Sequence, residues 1–194
     1  TGSRAEYGIF KKLLLKFKKD RYLYLQLIAT GSHLSRRHGF TLDEIKKDLI
    51  KVNKKIDIKI SKDNPAGIGR SMSLGLTKLI KSYESLKPDI VLLLGDRYEI
   101  LTAAIAASLC RIPIGHIHGG ELTEGSMDDA FRHSITKMSH LHFAATKKYQ
   151  KRIIQMGENP KNVYFVGGLG VDNIKKYNFL SKFELEKKLK LKFL

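Results

Sequence analysis

Short apolar runs rich in β-branched residues alternate along this chain with longer stretches of helical period, and no other feature constrains the fold as tightly. The strand-like runs fall at residues 22–29, 55–60, 89–94, 113–118, 140–144 and 163–166. Between them, helical spacing predicts helices over 7–19, 42–50, 68–86, 98–110, 129–139, 147–156 and 171–177. Strands that read as continuous apolar runs are buried on both faces, so the pattern predicts an α/β fold with a parallel sheet between two helical layers. Two boundaries carry capping signals. Thr41-Leu-Asp-Glu44 has the spacing of a capping box, and Ser181 is placed to cap a short Lys-rich helix over 182–188.

At 194 residues the chain suits one domain, since ~100–200 residues per domain is the usual range. A 42% hydrophobic and 28% charged composition excludes disordered and collagen-like classes. The formal charge of +17 invites a nucleic-acid partner. Nucleic-acid binders, however, gather cations into a stripe with arginine and aromatics at the bases. Here lysines such as Lys11, Lys12, Lys16, Lys18 and Lys19 lie at helical spacing beside leucines, as on solvated helix faces. No nucleic-acid partner is therefore expected, and a basic binding module stays as an alternative that predicts steeply salt-sensitive binding.

Cys110 is the single cysteine, so neither an intrachain disulfide nor a thiolate metal cage can form, which favours a cytoplasmic setting. The uncharged stretch 100–110 falls short of the ~20 residues that span a bilayer, so no membrane association is expected. Both ends look cut. Thr1-Gly-Ser-Arg4 resembles the turn between a strand and a helix, which makes a first strand missing. Residues 1–180 read as one domain and 181–194 as the start of a linker toward a second domain. By itself this length of chain is expected to carry little catalysis.

In open parallel sheets, ligands bind beyond the carboxyl ends of the strands, where helix N-termini and loops converge. Gly95-Asp96-Arg97-Tyr-Glu99 sits at such an end: an arginine there can fork to phosphate oxygens, and an aspartate can move a proton. The bland alternative is a helix cap beside a surface arginine. At the next strand end, His116-Ile-His118-Gly-Gly-Glu121 places two histidines on one side of a strand. That spacing keeps a metal-dependent hydrolase alive, with Asp128 or Asp129 completing the site. Against it, no histidine follows His142 to supply the later ligands such enzymes draw on, so no metal is assigned.

A third cluster runs from Asp128 to His142. Asp129, Arg132 and His133 share a helix face, with Asp128 at the helix N-terminus. Paired acids in unlike surroundings can divide acid and base roles, whereas a purely structural cluster would lock the helix to its loop. Gly167-Gly-Leu-Gly170 lacks the G-x-G-x-x-G spacing, so a nicotinamide-binding reading fails, and nothing has the form of a Walker loop.

Taken in order, Thr1-Gly-Ser-Arg4-Ala-Glu-Tyr-Gly8, Gly95-Asp-Arg97-Tyr-Glu99, His116-Ile-His-Gly-Gly-Glu121, the run Arg132-His-Ser-Ile-Thr-Lys-Met-Ser-His-Leu-His142 and Gln155-Met-Gly-Glu158 closely resemble the hydrolysing UDP-N-acetylglucosamine 2-epimerases of bacterial sialic-acid synthesis. The resemblance spans nearly the whole chain. It implies the Rossmann-like N-terminal half of a two-domain enzyme of the glycosyltransferase-B type, with the nucleotide-sugar held between domains. It further implies elimination of UDP from UDP-N-acetylglucosamine to a glycal, followed by hydration to N-acetylmannosamine, without nicotinamide or metal cofactor. A homo-oligomer, dimer or tetramer, is implied for the full-length enzyme.

On this resemblance Asp96 is the leading catalytic residue, with Asp128 and Asp129 as further acid–base candidates. Arg4 and Arg97 suit the departing diphosphate, and Gly8, Arg132 and His133 are implied substrate-binding residues. Many relatives carry a catalytic glutamate where this chain has His118, with Glu121 three residues on. Either His118 moves the proton, or Glu121 swings in, or Asp128 takes the task. Close relatives act on UDP-N,N'-diacetylbacillosamine, which needs the same acids and bases and is the alternative substrate.

Overall fold

The computed structural model describes residues 1–60, 63–175 and 179–193. Its strands are β1 (Leu27–Thr30), β2 (Val52–Ile56), β3 (Val91–Leu94), β4 (Ile114–Ile117), β5 (Leu141–Ala144) and β6 (Val163–Phe165). Its helices are α1 (Arg4–Lys19), α2 (Leu42–Lys47), α3 (Pro65–Leu86), α4 (Tyr98–Leu109), α5 (Met127–Met138), α6 (Lys147–Gln155), α7 (Leu169–Lys175) and α8 (Lys182–Leu189). All ladders are parallel: β1 pairs with β2, and β3, β4, β5 and β6 follow in that order as a second ladder.

Period-two alternation sends neighbouring strand residues to opposite layers. Leu93 joins Ile56, Leu79, Tyr83, Ala104 and Ile114 in a core under α3 and α4. Leu94 joins Tyr7, Phe10, Leu27, Ala29 and Ile117 in a core under α1 and α2. Each core draws on both ladders, so the two ladders form one layer between two helical layers, the expected three-layer arrangement. Residues ahead of α1 run beside β1. The Thr1 carbonyl accepts the Thr30 N–H at 3.0 Å, and the Gly2 carbonyl accepts the Ser32 N–H at 2.8 Å.

Several boundaries move. Tyr22 and Tyr24, expected in a strand, are each 79% exposed, and the strand begins only at Leu27. The second strand occupies Val52–Ile56 rather than 55–60. Thr41 makes no cap: its hydroxyl is bonded to His33 Nδ1 at 2.8 Å, which removes it from the amides of α2. The capping box forms instead at Ser181 and Glu184. The last two positions of the helix expected over 171–177 lie outside the described residues. Among the described residues no helix is long and apolar enough to cross a membrane.

Candidate active site

The ends of β3 and β4 meet α5 around one buried guanidinium. Arg132 projects from α5 with its side chain only 8% exposed. Its Nη2 donates to Asp96 Oδ2, just beyond β3, and to Thr123 Oγ1 at 2.9 Å. Its Nη1 donates to the His118 carbonyl at 2.9 Å and lies 3.5 Å from Glu121 Oε2. A charged fork is suited to this work because its donors are fixed in a plane and hold several acceptors in set directions.

His118 leaves β4 with φ 66°, outside the range most side chains adopt, and its N–H still donates to the Phe143 carbonyl at 3.0 Å. This turn directs the imidazole to Glu121, whose Oε1 lies 3.0 Å from Nδ1. Nε2 is buried and has no hydrogen-bond partner among the described residues. Burial raises the Asp96 carboxyl above the usual carboxylate range; Asp128 and Glu121 push the same way, against the attraction of Arg132. The cluster therefore sets a carboxyl whose proton affinity is raised near two further acids and a histidine, the ingredients of acid–base chemistry at a carbon centre.

The structure places the remaining sequence candidates differently. Asp129 Oδ1 accepts the Thr123 N–H at 2.8 Å, and Oδ2 lies 3.7 Å from His133 Nε2, so this pair ties α5 to the loop preceding it. Arg97 caps α4, donates from Nε to Glu99 Oε1 at 2.8 Å, and keeps its side chain 46% exposed beside Asp96. Arg4 turns outward to Glu44 at 3.0 Å. With Gly8, Tyr7 and Asp48 it lines a separate concavity of about 380 Å³ between α1 and α2. The expected meeting of Arg4 with Asp96, Arg97 and Asp128 is thus not made.

His116 is a core residue. It is fully buried, with Nε2 2.9 Å from the Gly95 carbonyl and Nδ1 3.1 Å from Thr136 Oγ1, and burial lowers it to about 4. Both ring nitrogens are engaged, and His118 lies past the strand end on a turned backbone, so the two do not present the ligand pair that a metal-dependent hydrolase requires. Sequence reading passed over Thr123, Glu6 and Glu99. Glu6 and Glu99 did carry a signal: each is the acidic residue in the first turn of its helix.

A parallel α/β layer with a carboxyl cluster on a buried arginine beyond its strand ends defines a Rossmann-like domain with its polar cluster where such sheets place their sites. The chain belongs to the UDP-N-acetylglucosamine 2-epimerase family, whose model matches residues 15–193. It is 46% identical over 99% of its length to the hydrolysing GDP/UDP-N,N'-diacetylbacillosamine 2-epimerase of Campylobacter jejuni, covering 50% of that protein. It is 44% identical over 97% of its length to polysialic acid biosynthesis protein P7 of Escherichia coli, covering 48% of it. A third relative, the hydrolysing UDP-N,N'-diacetylbacillosamine 2-epimerase of Legionella pneumophila, is 38% identical over 91% of the chain and covered to 47%. The chain thus spans about half the length of the curated relatives it matches.

Among solved structures, the UDP-N-acetylglucosamine 2-epimerase of Neisseria meningitidis bound to UDP-N-acetylglucosamine superposes with a TM-score of 0.77 at 22% identity, over 98% of this chain and 50% of that one. The Methanocaldococcus jannaschii enzyme gives 0.75 at 20% identity, over 90% and 47%. The fold is that of one half of a glycosyltransferase-B-type molecule.

Proposed function

We propose that this chain supplies the catalytic half-cleft of a hydrolysing 2-epimerase acting on a UDP-2-acetamido sugar. The observation that carries the reading is the grouping of Asp96 and Glu121 on Arg132, with Asp128 near enough to act on the Asp96 carboxyl and His118 held against Glu121. Removal of the C2 proton and cleavage of the C1–O bond to UDP gives a glycal. Water then adds its oxygen to C1 and a proton to C2 on the opposite face. Asp96 and His118 exchange the C2 proton, and Asp128 assists at the same site. Glu121 orients His118 through Nδ1. Arg97 faces the departing diphosphate at the N-terminus of α4, where a cation and helix amides stabilise the growing negative charge. Arg132, buried and bonded on both η-nitrogens, orients these groups, and Asp129 with His133 holds α5 in place.

Higher identity to relatives named for diacetylbacillosamine, 46% and 38%, than to the Neisseria meningitidis UDP-N-acetylglucosamine 2-epimerase, 33%, supports UDP-N,N'-diacetylbacillosamine as the substrate. UDP-N-acetylglucosamine, giving N-acetylmannosamine, is the second reading; the likeness to the polysialic acid biosynthesis protein supports it. The proposal includes a cytoplasmic homo-oligomer built from a longer protein in which residues 1–180 form the N-terminal domain. It includes neither nicotinamide, metal nor nucleic acid. The test is incubation of the full-length protein with each nucleotide-sugar in D2O, followed by NMR. Free UDP and a 2-epimeric sugar carrying deuterium at C2 are expected; a 2-epimer still attached to UDP, or no turnover of either substrate, overturns the reading.

A further inference from the structure

We propose that Glu99 is the residue that positions Arg97 for a nucleoside diphosphate, an inference that rests on the diphosphate role given to Arg97 above. Glu99 lies in the first turn of α4 with its side chain 1% exposed. One oxygen, Oε1, accepts from Arg97 Nε at 2.8 Å; the other, Oε2, is buried without a hydrogen-bond partner among the described residues. Glu6, in the first turn of α1, is buried as well: its Oε2 accepts the Gly2 N–H at 2.7 Å, and its Oε1 is also unpartnered. Burial raises the Glu6 carboxyl, and the Glu99 carboxylate adds to that rise.

Two buried acids with unsatisfied oxygens carry a desolvation cost that an uncharged amide of the same shape would not. The backbone is nevertheless built around Glu99. A Cβ on Gly2 would stand 2.6 Å from Glu99 Cγ. One on Gly31, whose φ is 60°, would stand 3.2 Å from Glu99 Oε1 and 2.4 Å from the Gly2 carbonyl. Glycines on two segments thus make room for a carboxylate that packing alone does not need. What Glu99 does is hold Arg97 at Nε, while the Arg97 side chain stays 46% exposed at the α4 N-terminus. A fork held at Nε by Glu99 and flanked by the Tyr98 ring, with nearly half of its side-chain surface exposed, is preorganised for phosphate oxygens.

The test uses the full-length protein and UDP as the probe, with the dissociation constant measured by calorimetry for wild type, Glu99→Gln, Arg97→Ala and the double variant, and with melting temperature followed in parallel. Glu99→Gln is expected to weaken UDP binding about tenfold, the scale of one charge-assisted hydrogen bond, with an unchanged or raised melting temperature. The double variant is expected to bind no more weakly than Arg97→Ala alone, because Glu99 acts through Arg97. Wild-type affinity in Glu99→Gln, or losses that multiply in the double variant, overturns the proposal while leaving the Arg97 role intact. Wild-type affinity in Arg97→Ala removes that role and this proposal together. Where Glu99→Gln fails to fold, Glu99→Asp, which keeps the charge on a shorter arm, enters the same cycle with the same expected pattern.

Discussion

Arg132 on α5 donates to the Asp96 carboxylate beyond β3 and to the His118 carbonyl beyond β4, so one buried guanidinium sets the distance between two strand ends. Removing it strands a partly buried carboxylate and two loop acceptors. Arg132→Ala is expected to destabilise the fold by about 3–5 kcal/mol, the usual scale for breaking a buried pair. Arg132→Lys is expected to keep the charge but lose the fork, and so to retain most stability with much of the activity gone. Denaturant unfolding alongside UDP release checks both.

Gly120 makes the tight loop beside this site possible. Its φ is 73°, and an added Cβ would stand 2.6 Å from the Tyr149 carbonyl and 2.8 Å from Ile153 Cγ1, while Arg152 donates to its carbonyl. Gly120→Ala is expected to cost about 3 kcal/mol through strain and backbone displacement together, read as a lowered denaturant midpoint.

His116 gives the fold an acid limit. Burial lowers it from 6.5 to about 4 in the folded state. Between those values the unfolded chain binds the proton and the folded chain does not, so stability falls as pH drops through that window. The loss is complete below about 4 and amounts to about 3 kcal/mol from this group. His33, lowered to about 4 chiefly by burial, acts in the same direction. Urea midpoints measured from pH 7 to pH 4 are expected to fall, and more shallowly in His116→Gln.

His118 stands where the resemblance leads one to look for a glutamate. In the full-length protein, His118→Ala is expected to lower kcat about a hundredfold or more, as loss of a proton-transferring group does, with little change in melting temperature. Product formation at the wild-type rate would shift the task to Glu121 or Asp128.

The alternation of apolar and helical stretches made the three-layer fold legible, because parallel strands buried on both faces leave that pattern. Strand-end motifs likewise pointed to Asp96, His118 and Glu121, which the structure brings together around Arg132. Tyr22 and Tyr24 misled because aromatic alternation signals a half-buried strand only where a neighbour covers one face. Thr41 misled because a buried histidine competes for its hydroxyl. Arg4 was misplaced because a residue near a helix start can turn either way, and an unforeseen partner, Glu44, turned it outward. Glu6 and Glu99 were passed over because their first-turn positions show in the sequence but their approach to one another across separate helices does not.

The central claim is that the carboxyl cluster on Arg132 performs proton transfer, and Asp96→Asn tests it with least disturbance, since the amide keeps the shape and an acceptor for Arg132. In the full-length protein, kcat for UDP release is predicted to fall by about 10²–10⁴-fold, the usual contribution of a positioned acid or base, at an unchanged melting temperature. Turnover by Asp96→Asn at the wild-type rate would contradict the account.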